Sequence, residues 1–156
     1  MLKKIITALF VLLAASANAQ VEVTDAWARA TGPGQMATGV FMNLTAKKAT
    51  RLVGIKTNLT NVAQVHEMKM DKDVMKMQAV KALDLPAGQT VSLKPGSYHV
   101  MLMDLKAPVA EDSQVVLTLL FEDAAGVKTQ QEVRAVAQKA PMGGADKHQH
   151  GEHHNH

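Results

Sequence analysis

The sequence predicts an all-β domain, a sandwich or barrel, and three observations carry that prediction. Short apolar segments alternate with polar residues at the two-residue period of a strand, with a clear split at 98–105. Turn residues separate them at short intervals, as at 31–35, 85–88 and Pro95-Gly96. Residues 115–121 form an almost unbroken apolar run of strand length.

The first 19 residues read as an export signal. Lys3 and Lys4 supply the charged start, 5–15 the apolar stretch, and Ala17-Asn18-Ala19 the cleavage site, so the exported chain begins at Gln20. The apolar stretch falls short of the roughly 20 residues of a membrane span, which argues against stable membrane insertion. With no cysteine after the signal, the sequence also argues against a lipoprotein anchor. Removing 19 of 156 residues leaves 137, enough for one domain with its own core. The removal takes two lysines and no acid, so a net charge of +3 becomes +1. A near-neutral chain with one Trp, one Tyr and three Phe lacks the basic excess and stacking surfaces of a nucleic-acid binder.

Residues 21–29 read as a first strand with Trp27 as its large core side chain. After the loop at 31–35, Val40, Met42 and Leu44 alternate with Phe41 and Asn43 in a second strand with two usable faces. Leu52, Val53 and Ile55 mark a third. Residues 62–83 are ambiguous: Met, Lys, Glu and Ala favour a helix with His66, Met70, Val74 and Met77 on one face. The surrounding strand pattern favours a hairpin turning at 71–73, and the hairpin is the expectation adopted. Val91 and Leu93 flank Ser92 in a short strand. In 98–105, His99, Met101 and Met103 point to one face, and Tyr98, Val100 and Leu102 to the core. The run at 115–121 is expected to be buried on both sides, and after the turn at 124–126 an amphipathic strand at 127–136 closes the fold. From Lys139 the pattern stops. Residues 139–156 read as a flexible tail, low in complexity and holding five of the seven histidines.

The chemistry lies in the methionines around the two histidines outside that tail. His66, Met77, His99 and Met101 are spaced His66-x10-Met77-x21-His99-x-Met101, with Met68 and Met103 close by as auxiliary donors. Two imidazoles and two thioethers make a soft, uncharged ligand set. Monovalent copper prefers such a set, whereas zinc usually takes thiolate or carboxylate beside histidine. Thioethers do not form disulfides, which suits an oxidising compartment. With no cysteine in the chain, a blue-copper electron-transfer centre is excluded. Methionine alternating along a strand ordinarily fills a core, and a histidine beside an apolar strand is more often structural than a ligand. Here methionine gathers round both isolated histidines, and the opposite face of 98–105 already supplies a core side. No Ser-His-Asp set, carboxylate pair or phosphate loop stands out, and a mature N-terminus at Gln20 rules out an N-terminal histidine brace. The chain does not read as an enzyme.

The four-residue spacing, with Trp27-Ala28-Arg29, His66-Glu67-Met68, the segment from Leu93 to Met103 and the apolar run ending at Phe121, resembles the PCuAC-type periplasmic copper chaperones. Gly96-Ser97 stands where that family often has Gly-Gly. The resemblance implies a cupredoxin-like Greek-key β-sandwich in residues 20–138, with an exposed Cu(I) site made by the four motif residues. It further implies a periplasmic protein delivering copper towards the dinuclear copper centre of cytochrome c oxidase. Its partners would be thiol-bearing or copper-accepting assembly proteins and the oxidase copper subunit. In the tail, His148, His150, His153, His154 and His156, with Met142, form a second candidate site, for Cu(II). The alternative function is a periplasmic metal buffer or sink working mainly through that tail.

Overall fold

The computed structural model describes residues 20–139. The signal segment and nearly all of the tail, including Met142 and the five tail histidines, lie outside the described residues. Ten strands and no helix occur among those described. They are β1 (Val21–Arg29), β2 (Thr38–Ala46), β3 (Thr50–Lys56), β4 (Val62–Asp71), β5 (Val74–Val80), β6 (Leu83–Leu85), β7 (Thr90–Leu93), β8 (His99–Met103), β9 (Gln114–Glu122) and β10 (Lys128–Gln138).

Hydrogen bonding links the strands in the order β5-β4-β8-β2-β1-β10-β9-β3-β6, with β7 also on β2. All pairs are antiparallel except β1 with β10. The sheet does not close, but it rolls over: β3 and β4 share no ladder and still pack against each other. Between the layers lies one core, from Val40, Met42 and Leu44 of β2 to Val100 and Leu102 of β8 and Leu117 and Leu119 of β9. β2 is the spine. One of its edges pairs with β1, and the other with β8 near its start and β7 near its end.

Alternation explains most of this, and two departures have local causes. Trp27 is half-buried rather than core. A bulge in β1 between Thr24 and Trp27, where Asp25 adopts φ 53°, shifts the side-chain parity by one residue. Val21 and Ala28 therefore reach the core while Trp27 stacks on Phe41 at 4.5 Å between centroids. Asn43 Nδ2 donates to Asp25 Oδ2 at 3.0 Å and ties the bulge to β2. The second departure is β9, which alternates rather than being buried on both sides. Val115, Leu117, Leu119 and Phe121 are buried, whereas Val116 and Leu120 sit on a half-exposed outer face. Residues 83–85, not expected as a strand, form a short edge on β3.

Residues 62–80 are the hairpin β4–β5, against their helical propensity. The expected turn at 71–73 tightens to two residues: Asp71 pairs with Val74, and Lys72 and Asp73 have φ 48° and 64°. Two positive φ values in a two-residue loop are the pattern of a type I′ turn, whose preferred sequence is Asn-Gly. A left-handed lysine is strained by about 1 kcal/mol, and asparagine relieves much of it. Lys72→Asn is therefore expected to raise the unfolding free energy by roughly 0.5–1 kcal/mol. A urea midpoint unchanged from wild type would mean the turn stores no such strain.

Candidate metal centre

The motif residues come from three neighbouring strands in register. His66 of β4 lies directly opposite His99 of β8, and Met68 of β4 directly opposite Met77 of β5. Met101 lies two residues beyond His99, opposite Gln64 on one side and Gly39 on the other. Cross-strand partners and residues two apart share a face, so the hairpin and β8 present all four motif residues, with Gln64 and Met68, on one face.

A cleft of about 340 Å³ opens over that face, and Met77, His99, Met101 and Met68 line it. His66 does not reach the cleft wall. It is buried, 7% exposed, with its ring centroid 6.0 Å from that of His99. Met103 shares the alternation of β8 but lies four residues from His99, about 13 Å along the strand, and does not line the cleft. Of the two auxiliary candidates, only Met68 sits beside the cluster.

The imidazoles are set by short-range hydrogen bonds. Ser97 N–H donates to the Lys94 carbonyl at 3.1 Å across Pro95-Gly96, and Gly96 has φ 82°. This is a type II turn, with proline and a positive-φ glycine at its two centres. It aims the Ser97 carbonyl at His99, whose Nδ1–H donates to it at 3.0 Å. The opposite tautomer would set a nitrogen lone pair against a carbonyl oxygen. In the neutral ring His99 Nε2 therefore carries the lone pair, and Met77 Sδ stands 3.3 Å away. Two lone-pair donors at this distance have a cation as their natural shared partner. First-row ions bind nitrogen and sulfur at about 2.0 and 2.3 Å, which spaces neighbouring donors about this far apart.

His66 is held in a similar way. Its Nε2–H donates to Gln64 Oε1 at 3.1 Å, which leaves Nδ1 as the lone-pair atom. That Nδ1 is buried and has no hydrogen-bond partner. Burial first, and the nearby His99 second, hold the His66 pKa below its ordinary 6.5. Both effects favour the neutral ring, the form that binds metal.

Met77 is not core filler. Burying a methionine contributes roughly 1.5–3 kcal/mol, yet Met77 stays 50% exposed at the cleft edge. Among the described residues no group of three His, Asp or Glu gathers as a site for a harder ion.

Sequence reasoning missed three contributors, because each depends on register. Gln64 fixes His66, Phe41 stands 6.3 Å from the His99 ring centroid, and Gly39 makes room for Phe41. A Cβ on Gly39 would lie 2.7 Å from Phe41 Cζ. Outer-shell partners of a metal-bound histidine are worth about 10–100-fold in affinity. Gln64→Ala is expected to weaken Cu(I) binding within that range while leaving the fold intact. Equal affinity in a chelator competition would show that His66 needs no such support.

Comparison with known proteins identifies the family and the fold. The LpqE-like family model matches residues 21–133. The chain belongs to that family, which is the PCuAC family, and its all-β fold is the cupredoxin-like one of PCuAC domains. Lxx21020 of Leifsonia xyli subsp. xyli (strain CTCB07), a lipoprotein by name, is 35% identical over 104 residues. That alignment covers 66% of this chain and 63% of the relative, so the chain spans less than two thirds of the relative's length. Among solved structures, the copper-bound PCuAC domain from PmoF2 superposes with a TM-score of 0.61 at 24% identity, over 78% of this chain and 94% of that one. Cu(I)-DR1885 from Deinococcus radiodurans is 32% identical with a TM-score of 0.56, over 81% of this chain and 85% of its own.

Proposed function

We propose that the protein is a periplasmic copper chaperone that carries one Cu(I) on His66, Met77, His99 and Met101, with Met68 beside them. The observation that carries this reading is the facing pair of lone-pair donors, His99 Nε2 and Met77 Sδ, 3.3 Å apart. The unpartnered Nδ1 of His66 next to His99 adds a second imidazole to the set. Copper-bound relatives of the same fold, one of them carrying Cu(I), support the choice of metal.

The donor chemistry fits a carrier rather than a permanent holder. Neutral imidazoles and thioethers leave the site with the single charge of Cu(I), which limits the desolvation cost in a half-open cleft. Thiolates are stronger ligands for this ion, so a thiol-bearing acceptor can withdraw it by ligand exchange. In this reading the cargo moves towards the dinuclear copper centre of cytochrome c oxidase. The tail residues Met142, His148, His150, His153, His154 and His156 take a second copper, as Cu(II).

The test is a Cu(I) titration of residues 20–139 against a competing chelator, with X-ray absorption on the product. One tight equivalent with mixed sulfur and nitrogen scattering is the expected result. No tight binding without the tail would move the function to the tail histidines and make the protein a metal buffer.

A further inference from the structure

The β4–β5 hairpin carries more thioethers than the four-residue site uses. Met68 pairs with Met77, and one row further out Met70 pairs with Met75. All four stand on one face, in two rows between the His66–His99 row and the turn at Lys72 and Asp73. Counting from the closing pair Asp71–Val74, both methionine rows are non-hydrogen-bonded pairs. Such pairs bring their Cα atoms to about 4.5 Å and their side chains closest together. Successive rows are about 7 Å apart along the strands, a span that two flexible methionine side chains bridge between them.

The composition of the two faces differs sharply. The back of the hairpin carries Glu67, Lys69, Asp71, Val74, Lys76 and Gln78, with Lys76 Nζ 2.6 Å from Asp71 Oδ2. The front carries methionine at all four positions. Met70 and Met75 are 60% and 47% exposed, so core burial does not account for them. A general apolar docking patch would accept leucine, valine or isoleucine in these places, and the one aliphatic residue near the tip, Val74, lies on the back. What the four side chains share is a soft sulfur donor.

We propose that Met70 and Met75 form a second soft-metal station at the exposed tip, which takes up a monovalent soft cation and passes it down the ladder to Met68 and Met77. The ion then reaches His99, a destination that rests on the function proposed above. Each transfer is a ligand exchange in which a bond to a new sulfur, or at the last step to the His99 nitrogen, forms as a metal–sulfur bond breaks, with no electron or proton moved. Thioethers alone bind more weakly than thioethers with imidazoles, so the ladder runs towards tighter binding.

The experiment uses the whole exported chain labelled with 13C at the methionine methyls, titrated with Ag(I) as a redox-inert probe and followed by NMR. The first equivalent is expected to shift Met77 and Met101, and further silver Met70 and Met75. Met70→Leu with Met75→Leu is expected to abolish the later shifts, leave the first equivalent unchanged, and slow Cu(I) loading from a chelator donor. Static Met70 and Met75 methyls in excess silver, with later shifts confined to Met142, would overturn the station. Unchanged loading kinetics in the double variant would overturn the relay. Silence at Met77 and Met101 would instead sink the central-site reading, whatever the tip does.

Discussion

His99→Ala is expected to lower Cu(I) affinity by more than about 100-fold, beyond the range for loss of an outer-shell partner. The variant removes the nitrogen that faces Met77 Sδ at 3.3 Å, and the Ser97 carbonyl loses its imidazole donor. Truncating a buried side chain also costs stability, so affinity alone would leave two explanations open. Met101→Leu separates them. Leucine and methionine are close in volume, and such swaps usually cost less than about 1.5 kcal/mol. A clear loss of affinity in Met101→Leu with an almost unchanged unfolding midpoint is the expected result. Unchanged affinity in both variants, by chelator competition, would remove the β8 residues from the site.

How much of this was legible in the chain depended on whether a feature was local. The split of 98–105 needed only alternation within one strand, and Val100 and Leu102 are indeed buried opposite Met101 and Met103. The Pro95-Gly96 turn was legible because those residue types have few other uses. The hairpin at 62–80 was not settled by local propensity, which leans towards a helix; pairing of β4 with β8 decides it. Trp27 was misplaced because a single bulge at Asp25 inverts the parity of the rest of β1, and no residue type announces a bulge. The outer face of β9 was misread because its apolar run does not say whether a second layer covers it. Site geometry was legible only as spacing. That His66 and His99 stand opposite one another, and that Gln64 rather than a carboxylate fixes His66, are facts of register.

His66→Leu tests the same site from the side of stability, and its two effects are expected to have opposite signs. A buried nitrogen without a partner costs about 1–3 kcal/mol, and His66 Nδ1 is such an atom. Leucine removes that cost and fills a comparable volume beside His99. The metal-free variant is therefore expected to be more stable than wild type by about 1 kcal/mol, while its Cu(I) affinity falls sharply. The pH dependence sharpens the test. The folded-state pKa of His66 lies below its unfolded value of 6.5, so the unfolded chain takes up the proton more readily. The stability held by the neutral ring is thus fully present above pH 6.5 and is lost as pH falls through the folded pKa. Leucine has no proton to bind, so its advantage over wild type should widen on going from pH 7.5 to pH 5, measured by urea unfolding without metal. A histidine kept for the fold would give the reverse, a variant less stable at both pH values. A histidine kept for the ion would leave the metal-free protein weaker than it need be, because the lone pair that costs stability would then be the one offered to the metal.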